Sequence, residues 1–353
     1  MSSYLYIGTD AGHLFTANLG YASDFVDQRK KALTESGLKV LKQEKGSWRE
    51  VASAFSDRTV ECIAFRGDDP SSLYVCVRHQ GVFYSKEGSP WKILLEADVW
   101  AVAVSPHDPA VMYAGVEPAS IFRSTDAGHT WKELAAVGQL PSAPTWTFPV
   151  PPHIPRVRTL SVDPQEPMTI YAGVEVGGVI RSRDGGESWE ELNQGIDPDI
   201  HHLALHTQQP GLIYAATGDG FYRSENGGAS WQRAHRGLEA SYTVPLAFCS
   251  GTRALVVVGA ATDDPTFWDR PEGAQAALYR SIQQGQNWEK LSRGLPASFN
   301  AMLRSVTINP ARPDSVYAGT DDGELFASED EGDSWHLIAK GLPPIRTLKV
   351  ATV

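Results

Sequence analysis

The sequence predicts an all-β fold, namely a single seven-bladed β-propeller whose blades each contain four strands. Three observations predict it. A short motif recurs along the chain, and the tryptophans that end its copies are spaced by about one blade length. Gly and Pro are also frequent, with 32 Gly and 23 Pro in 353 residues. Such a chain needs many tight turns rather than a few long helices.

The repeated motif follows the pattern S-x-D-x-G-x-[ST]-W. Residues 124–131, 182–189 and 328–335 match it fully, whereas residues 224–231 have Asn226 and residues 281–288 have Gln283 at the Asp position. Two earlier copies, 85–91 and 46–48, are shortened. The seven motif tryptophans, at 48, 91, 131, 189, 231, 288 and 335, lie on average about 48 residues apart, which is the length of a four-stranded propeller blade.

The residue types of the motif suit a tight β-turn. An Asp or Asn side chain accepts hydrogen bonds from nearby backbone amides, Gly takes the positive-φ position, and Trp packs between neighbouring blades. The D-x-G spacing lacks the further ligands of an EF-hand calcium loop. We therefore predict that the motif Asp residues stabilise turns and are not catalytic acids.

The motif resembles the BNR or Asp-box repeats of sialidases, xyloglucan-cleaving glycosidases, sortilin-type receptors and a photosystem assembly factor. The resemblance covers nearly the whole chain and implies a propeller. Because these proteins include enzymes, receptors and assembly factors, it leaves the activity open. Residues 153–156 only faintly resemble the sialidase F-R-I-P signature, and sialidases have six blades. Neither sialidase nor xyloglucanase activity is therefore expected here.

The strands follow in a fixed order around each motif. An inner strand is followed by a Y-A-G strand, an F-R-S strand, the motif turn and a Trp-bearing outer strand, as at 158–162, 169–174, 179–181 and 188–192. The carboxy-terminal strand, 345–350, is expected to pair with the amino-terminal strand, 4–8, and to close the ring. The third strand of the first blade is either 37–41, which we favour, or 13–18.

One domain, residues 1–353, is expected, with loop insertions near 10–36, 136–156 and 261–275. The second follows an outer strand, and the third separates a second strand from a third strand. Both connections emerge on one face of a propeller, where ligand sites are commonly built. The insertions can act as a ligand lid or as an ordered cover of the channel, and the sequence leaves both roles open.

Aligning the inner strands places one residue of each at an equivalent position near this face. These residues are Glu61, Trp100, Arg158, His201, Val244, Arg304 and Arg346. Clustered arginines repel each other unless acids or an anionic ligand compensate them. Acids at matching positions between strands two and three are Asp10, Glu117, Glu175, Asp219 and Asp321. Internal ion pairs and an anion site both remain open.

The first functional hypothesis is a central pocket for a small anionic, carboxylate-like ligand. Its arginines, Arg158, Arg304 and Arg346, hold the anion. Trp146 and Trp268 cover it, and the set of ligand-binding candidates is completed by Tyr242 and Glu175. His201 or Glu61 is the candidate proton-transfer group of a metal-independent hydrolase or lyase. The alternative is a non-catalytic interaction or assembly scaffold, whose arginines are fully paired or exposed on a flat face.

Composition excludes several partners. The net charge is −11, the pI is near 5.4 and no basic run occurs, which argues against nucleic acid. No stretch is apolar enough for a membrane helix, and the first residues lack a signal sequence. We expect a cytoplasmic protein with three free buried thiols, because the cysteines have no CxxC spacing.

No cofactor is expected, because metalloprotease, P-loop and G-x-S-x-G motifs are missing from the sequence. His201, His202 and His206 look like a metal cluster. On a strand, however, His202 and His206 lie about 13 Å apart and cannot hold one ion. The sequence therefore predicts no local metal site and leaves open one that several blades assemble.

Overall fold

The computed structural model describes residues 3–11, 35–44, 47–67, 69–250 and 254–352. In these residues, seven antiparallel four-stranded sheets each follow the order inner, second, third and outer strand. The inner strands contact one another in a closed cycle. The predicted seven-bladed propeller is confirmed. Most of the predicted insertion near 10–36, namely residues 12–34, lies outside the described residues.

Blade one contains strands from both ends of the chain: β1 (Ser3–Thr9), β2 (Leu38–Glu44), β3 (Ser47–Ala54) and the inner strand β28 (Ile345–Thr352). Blades two, three and four contain β4 (Val60–Arg66), β5 (Asp69–Val77), β6 (Gly81–Lys86), β7 (Lys92–Leu95), β8 (Asp98–Val104), β9 (Met112–Glu117), β10 (Ser120–Ser124), β11 (Lys132–Glu133), β12 (Val157–Val162), β13 (Ile170–Val174), β14 (Gly178–Ser182) and β15 (Glu190–Glu191).

Blades five, six and seven contain β16 (Ile200–Leu205), β17 (Ile213–Thr217), β18 (Gly220–Ser224), β19 (Gln232–Arg233), β20 (Tyr242–Cys249), β21 (Leu255–Ala261), β22 (Ala277–Ser281), β23 (Glu289–Lys290), β24 (Leu303–Asn309), β25 (Arg312–Thr320), β26 (Leu325–Ser328) and β27 (His336–Ala339). Short 3₁₀ turns occur at Ala135–Gln139, Ala143–Thr145 and Pro265–Phe267. These turns belong to the insertions, which run from β11 to β12 and from β21 to β22.

Pairing between the two ends of the chain closes the ring. β28 pairs with β1 from Thr352 opposite Ser3 to Ile345 opposite Thr9. β1 also pairs with β2, so the third strand of blade one is the favoured segment near 37–41. The alternative segment, 13–18, lies outside the described residues. Because this ladder joins the strands from the two ends of the chain within blade one, the ring has no open seam there.

The core is divided into layers between the blades. Each of the seven apolar clusters in the described part of the chain joins two neighbouring blades. Tyrosines of the second strands are among the most buried side chains, including Tyr74, Tyr113 and Tyr214. A blade therefore buries its apolar faces only against its neighbours, as repeat architectures require.

The motif turns have the hydrogen bonds that their residue types predict. Asp184 Oδ1 accepts from the Ser182 hydroxyl at 2.8 Å and from the Ser188 backbone N–H at 2.9 Å, and Oδ2 accepts from the Ser188 hydroxyl at 2.6 Å. These hydrogen bonds lower the pKa of Asp184 to about 2. In the relaxed copy, Asn226 keeps equivalent contacts. The motif acids therefore stabilise turns.

One expectation about the cysteines is wrong. Cys62 and Cys76 are cross-strand partners of β4 and β5, and their sulfur atoms are bonded as a disulfide. Cys249 is a free thiol. No spacing signal marks this pair in the sequence, because partners across a hairpin are separated by whatever length the two strands and their turn require.

Candidate functional site

A β-bulge interrupts each of the seven inner strands that the structure describes, always near its first residues. In β12 the pairing with β13 skips Arg158, which lies between Val157 and Thr159. A bulge bends the strand and re-aims the extra side chain. The skipped residues, here called the bulge ring, are Glu61, Trp100, Arg158, His201, Val244 (with Pro245), Arg304 and Arg346.

The bulge ring contains the seven residues that the aligned inner strands singled out. It surrounds the end of the central channel on the face where second strands connect to third strands, and we call this end the mouth. The bulges themselves were not predicted, because a strict period of two has no place for an extra residue. They explain how four charged side chains, Glu61, Arg158, Arg304 and Arg346, can each interrupt an otherwise regular inner strand.

Each arginine of the bulge ring pairs with an acid of its own blade. Arg304 Nε donates to Asp321 Oδ2 at 2.6 Å. Arg346 Nε donates to Asp10 Oδ2 at 2.8 Å, and Arg158 pairs closely with Glu175. Of the two alternatives that the sequence left open, internal ion pairs are therefore formed.

The ion pairs use only part of each guanidinium. Among the described residues, Arg158 bonds through Nη1, Arg304 through Nε, and Arg346 through Nε and Nη2, each to a single carboxylate oxygen. An arginine has five N–H donors in a planar fork. The side chains of Arg158, Arg304 and Arg346 are 20%, 18% and 24% exposed, respectively, so their remaining N–H donors reach solvent.

Glu175 is the most strongly held acid of the mouth. It is 3% exposed and accepts from Arg156 Nε as well as from Arg158. Burial alone would raise the pKa of Glu175, but the two guanidinium groups lower it to about 2. Arg156 also lies 3.4 Å from Glu117. Glu175 is consequently an anion at any pH at which the protein is expected to function.

Charges interact across the mouth from different blades. Burial lowers the pKa of Arg346, but Asp10, Asp321 and Glu61 together raise it. Glu61, on blade two, also acts on the pKa of Arg158, on blade four. Within the described part of the chain, Glu61 has no ion pair closer than 4.0 Å. These groups therefore lie close enough across the mouth for their charges to interact.

An aromatic row borders the arginines on the side of blades five to seven. The His201 ring lies 4.8 Å from the Tyr242 ring, which meets Trp268 edge to face at 5.6 Å. The Arg304 guanidinium lies 4.9 Å from the Trp268 ring. Burial, followed by the charge of Asp199, raises the pKa of Tyr242. Trp268, from the insertion near 261–275, thus covers one edge of the mouth.

Trp146 does not lie where a ligand cover is needed. It is 8% exposed, belongs to the apolar cluster between blades three and four, and donates from Nε1 to Ser142 at 2.8 Å. Its burial is explained by the insertion near 136–156, which folds back on these two blades. Trp146 therefore anchors that insertion.

A stack that the sequence did not reveal connects the same insertion to the mouth. The Arg78 and Arg156 guanidinium groups lie 3.8 and 3.6 Å from the centre of the Trp100 ring. Arg156 also lies 3.7 Å from the Phe148 ring. Cation–π contacts of desolvated arginines stabilise such stacks. No local pattern marks these contacts, since Arg78 follows β5, Trp100 lies in β8 and Arg156 precedes β12, each in a different blade.

The neighbouring histidines differ in environment. The His201 side chain is fully buried and its Nδ1 lies 2.6 Å from the Thr243 carbonyl oxygen. The His202 side chain is accessible from the channel, but the protein atoms around it limit its hydration, and this desolvation, followed by the charge of Lys349, lowers its pKa to about 4. His206 Nδ1 accepts the backbone N–H groups of Gln208 and Gln209, both at 3.1 Å. The three side chains therefore have separate roles.

A shallow hollow where blade two meets blade three has residues such as His79, Phe83 and Asp98 in its wall and none of the bulge ring. In the described residues, no helix is long and apolar enough to span a membrane.

No protein-family model and no curated protein matches the chain. Among solved structures, it is similar to a GH74 xyloglucanase from Xanthomonas campestris, with a TM-score of 0.60 and 20% identity over 79% of this chain and 45% of that chain. An ancestral GH74 enzyme gives a TM-score of 0.63 and 18% identity over 80% and 38%, respectively. This chain therefore spans less than half the length of these enzymes.

The chain is also similar to YCF48 bound to D1 peptide, with a TM-score of 0.56 and 15% identity over 79% of this chain and 82% of that chain. YCF48 from Cyanidioschyzon merolae gives a TM-score of 0.55. At these identities the similarities establish the propeller fold. The neighbours include both glycoside hydrolases and a peptide-binding protein, so the function must be argued from the site.

Proposed function

We propose that the mouth binds the carboxylate group of a small organic anion through Arg158, Arg304 and Arg346. The observation that carries the proposal is the incomplete use of these three guanidinium groups. Each is held in place by an acid of its own blade and still has solvent-accessible N–H donors. Planar arginine donors are suited to carboxylate recognition.

The pre-existing ion pairs favour such a function. Each acid neutralises its arginine in the free protein, so the arginines can converge without strong mutual repulsion. The acids also fix the side chains before a ligand arrives, which reduces the entropy lost on binding. Tyr242 and Trp268 present ring surfaces next to Arg304. An apolar or aromatic part of the ligand would pack on these rings.

The proposal concerns binding. Of the two candidate proton-transfer groups, Glu61 has no ion pair within the described residues and His201 borders the aromatic row. They remain the candidates for a hydrolase or lyase reaction on the bound anion. Trp146 is not included among the ligand contacts because it packs in the core.

The test is ligand-induced thermal stabilisation by a panel of small mono- and dicarboxylates. Binding to the native state raises the unfolding temperature with ligand concentration. The Arg304→Ala variant should weaken binding by about tenfold or more, since a hydrogen bond to a charged group contributes about 1.5–3 kcal/mol. Arg183→Ala is the matched control, because the Arg183 side chain is 67% exposed in a surface ion pair with Glu190. Equal stabilisation of wild type and Arg304→Ala contradicts the proposal.

A second candidate is a scaffold that holds another polypeptide. The observation in its favour is the similarity to YCF48 bound to D1 peptide, which extends over 82% of that chain. A peptide with a free terminal carboxylate presents the same group to the arginines. Binding of such a peptide, its loss on carboxy-terminal amidation, and no stabilisation by the small anions would favour the scaffold.

A further inference from the structure

Three metal-binding side chains from two blades meet beside the mouth. Glu175 directly follows β13 of blade four, Asp199 precedes β16, and His201 lies in the bulge of β16. One ligand atom of each lies within 4.8 Å of the others. Glu175 and His201 are 3% exposed and the Asp199 side chain is 21% exposed, so the group lies mostly inside the protein.

The hydrogen bonds of His201 determine which ring nitrogen has a free lone pair. Nδ1 lies 2.6 Å from the Thr243 carbonyl oxygen, which can only accept, so Nδ1 carries a proton. In the neutral ring, Nε2 then carries a free lone pair and no proton. Nε2 is buried and has no hydrogen-bond partner among the described residues. A histidine whose other nitrogen donates to a backbone carbonyl is the usual arrangement of a metal ligand.

Asp199 also has a buried acceptor atom without a hydrogen-bond partner among the described residues. Its Oδ2 lies 3.2 Å from His201 Nε2, and its Oδ1 is buried without a hydrogen-bond partner in the described part of the chain. Two lone pairs that face each other in a buried site repel unless a cation lies between them. A cation bound between the two side chains would satisfy both of these buried atoms.

We propose that Glu175, Asp199 and His201 bind a divalent transition-metal ion. One imidazole and two carboxylates suit Zn²⁺ or Mn²⁺, whereas Ca²⁺ and Mg²⁺ prefer oxygen ligands alone. The two carboxylates balance the charge of the ion. Three protein ligands leave at least one coordination position open for water or a ligand group.

The ion would compete with Arg158 for Glu175. Arg156 holds Oε2 and Arg158 holds Oε1 of that carboxylate. An ion on Oε1 would displace the Arg158 guanidinium, which is 20% exposed and can turn towards the channel, while Arg156 stays bound. The metal proposal does not depend on the proposed anion site, because it concerns binding of the ion alone.

The experiment is calorimetric titration of the full chain, stripped of metal with EDTA, with Zn²⁺ and in parallel with Mn²⁺, Ca²⁺ and Mg²⁺. Wild type should bind one equivalent of Zn²⁺. His201→Ala and Asp199→Asn should each weaken binding by about 100-fold or more, since even residues that only orient ligands change affinity by 10–100-fold. His235→Ala, at an exposed histidine, should leave the affinity unchanged.

Substitution of Co²⁺ gives a second measurement that does not require activity. Its visible absorption bands should appear in wild type and in His235→Ala and should be absent in Asp199→Asn, whose fold is checked by circular dichroism. The proposal is overturned if wild type binds no Zn²⁺, if the His201 and Asp199 variants bind it as wild type does, or if Ca²⁺ binds equally well. A protonated His201 paired with Asp199 would produce the first of these results. Arg304→Ala should retain Zn²⁺ binding, so failure of the anion proposal is a separate outcome.

Discussion

At the level of single residues, Glu175 connects most of the features of the mouth. It holds Arg158 of the bulge ring and Arg156 of the stack with Trp100, and it belongs to the proposed metal site. A buried acid of this kind has a defined energetic role. Removing one partner of a buried ion pair leaves the other charge without compensation, which destabilises a protein by about 3–5 kcal/mol.

We predict that Glu175→Gln lowers the free energy of unfolding by about 3 kcal/mol at neutral pH. Arg158 then loses its paired carboxylate, and Arg156 keeps only Glu117 as a counter-charge. Urea unfolding of wild type and variant measures the difference. The control is Glu187→Gln, because Glu187 pairs with Lys132 on the surface, where both side chains are more than half exposed. A loss no larger than that of the control would show that the pairing does not stabilise the fold.

The same variant gives a prediction about pH. The pKa of Glu175 is lowered to about 2 in the folded state, against an ordinary value of 4.5. Its stabilising contribution is therefore complete above pH 4.5 and is lost as the pH falls towards 2. The difference in unfolding free energy between wild type and Glu175→Gln should shrink over this interval. A constant difference down to pH 2.5 would contradict the assigned pKa.

At the level of elements, the inner strands are placed by glycines of the preceding blade. The Y-A-G strands bring a glycine against the first inner-strand residues of the next blade, where an added Cβ would lie 2.5–2.8 Å from a side-chain atom. These glycines are Gly8, Gly115, Gly173, Gly259 and Gly319. The contacts precede the bulges directly, so they set the position of the bulge ring.

We predict that Gly173→Ala destabilises the protein by about 1–3 kcal/mol, the usual effect of overpacking. The new Cβ would lie 2.5 Å from Ile200 Cγ2 and 2.6 Å from Thr159 Cγ2. Since Ile200 precedes His201, the variant should also weaken Zn²⁺ binding. Gly138→Ala is the control, because no atom lies within 4 Å of its added Cβ. Denaturant unfolding of both variants is the measurement, and equal stability would exclude a close approach at Gly173.

At the level of the whole molecule, stability depends on closure of the ring. β28 supplies Ile345, Leu348 and Val350 to the apolar cluster between blades seven and one. It also carries Arg346, which pairs with Asp10 at the other end of the chain. Without this strand, β1 becomes an open edge, and unpaired edges favour association between molecules.

We predict that deleting residues 345–353 removes cooperative folding at physiological temperature. Burial of each of the three apolar side chains contributes about 1.5–3 kcal/mol, comparable in sum to the stability of many domains. Near-ultraviolet circular dichroism and size-exclusion chromatography measure the result. Lys349→Ala, which changes an exposed side chain of the same strand, should remain folded. A truncated protein that is monomeric and melts as wild type does would show that closure is dispensable.

Much of the architecture could be predicted because it follows from patterns among residues close together in the sequence. The motif turns use residues within eight positions of each other, and strand alternation follows a period of two. The inner, second and third strands of blade four were therefore predicted to within one or two residues at each end. The candidate residues Arg158, His201 and Arg304 were found by aligning strands. Contacts between blades were harder to predict, because the stack of Arg78, Trp100 and Arg156 joins segments of three different blades.

The sequence by itself determined the number of blades, their strand order and the closing strand, since short-range spacing and turn chemistry encode each of them. Only the tertiary structure decided how the charges are compensated and where side chains such as Trp146 and Cys62 reside. Those outcomes depend on distances between segments far apart in the chain, and on bulges that depart from the regular period. Contacts of that kind exist only after the ring has closed.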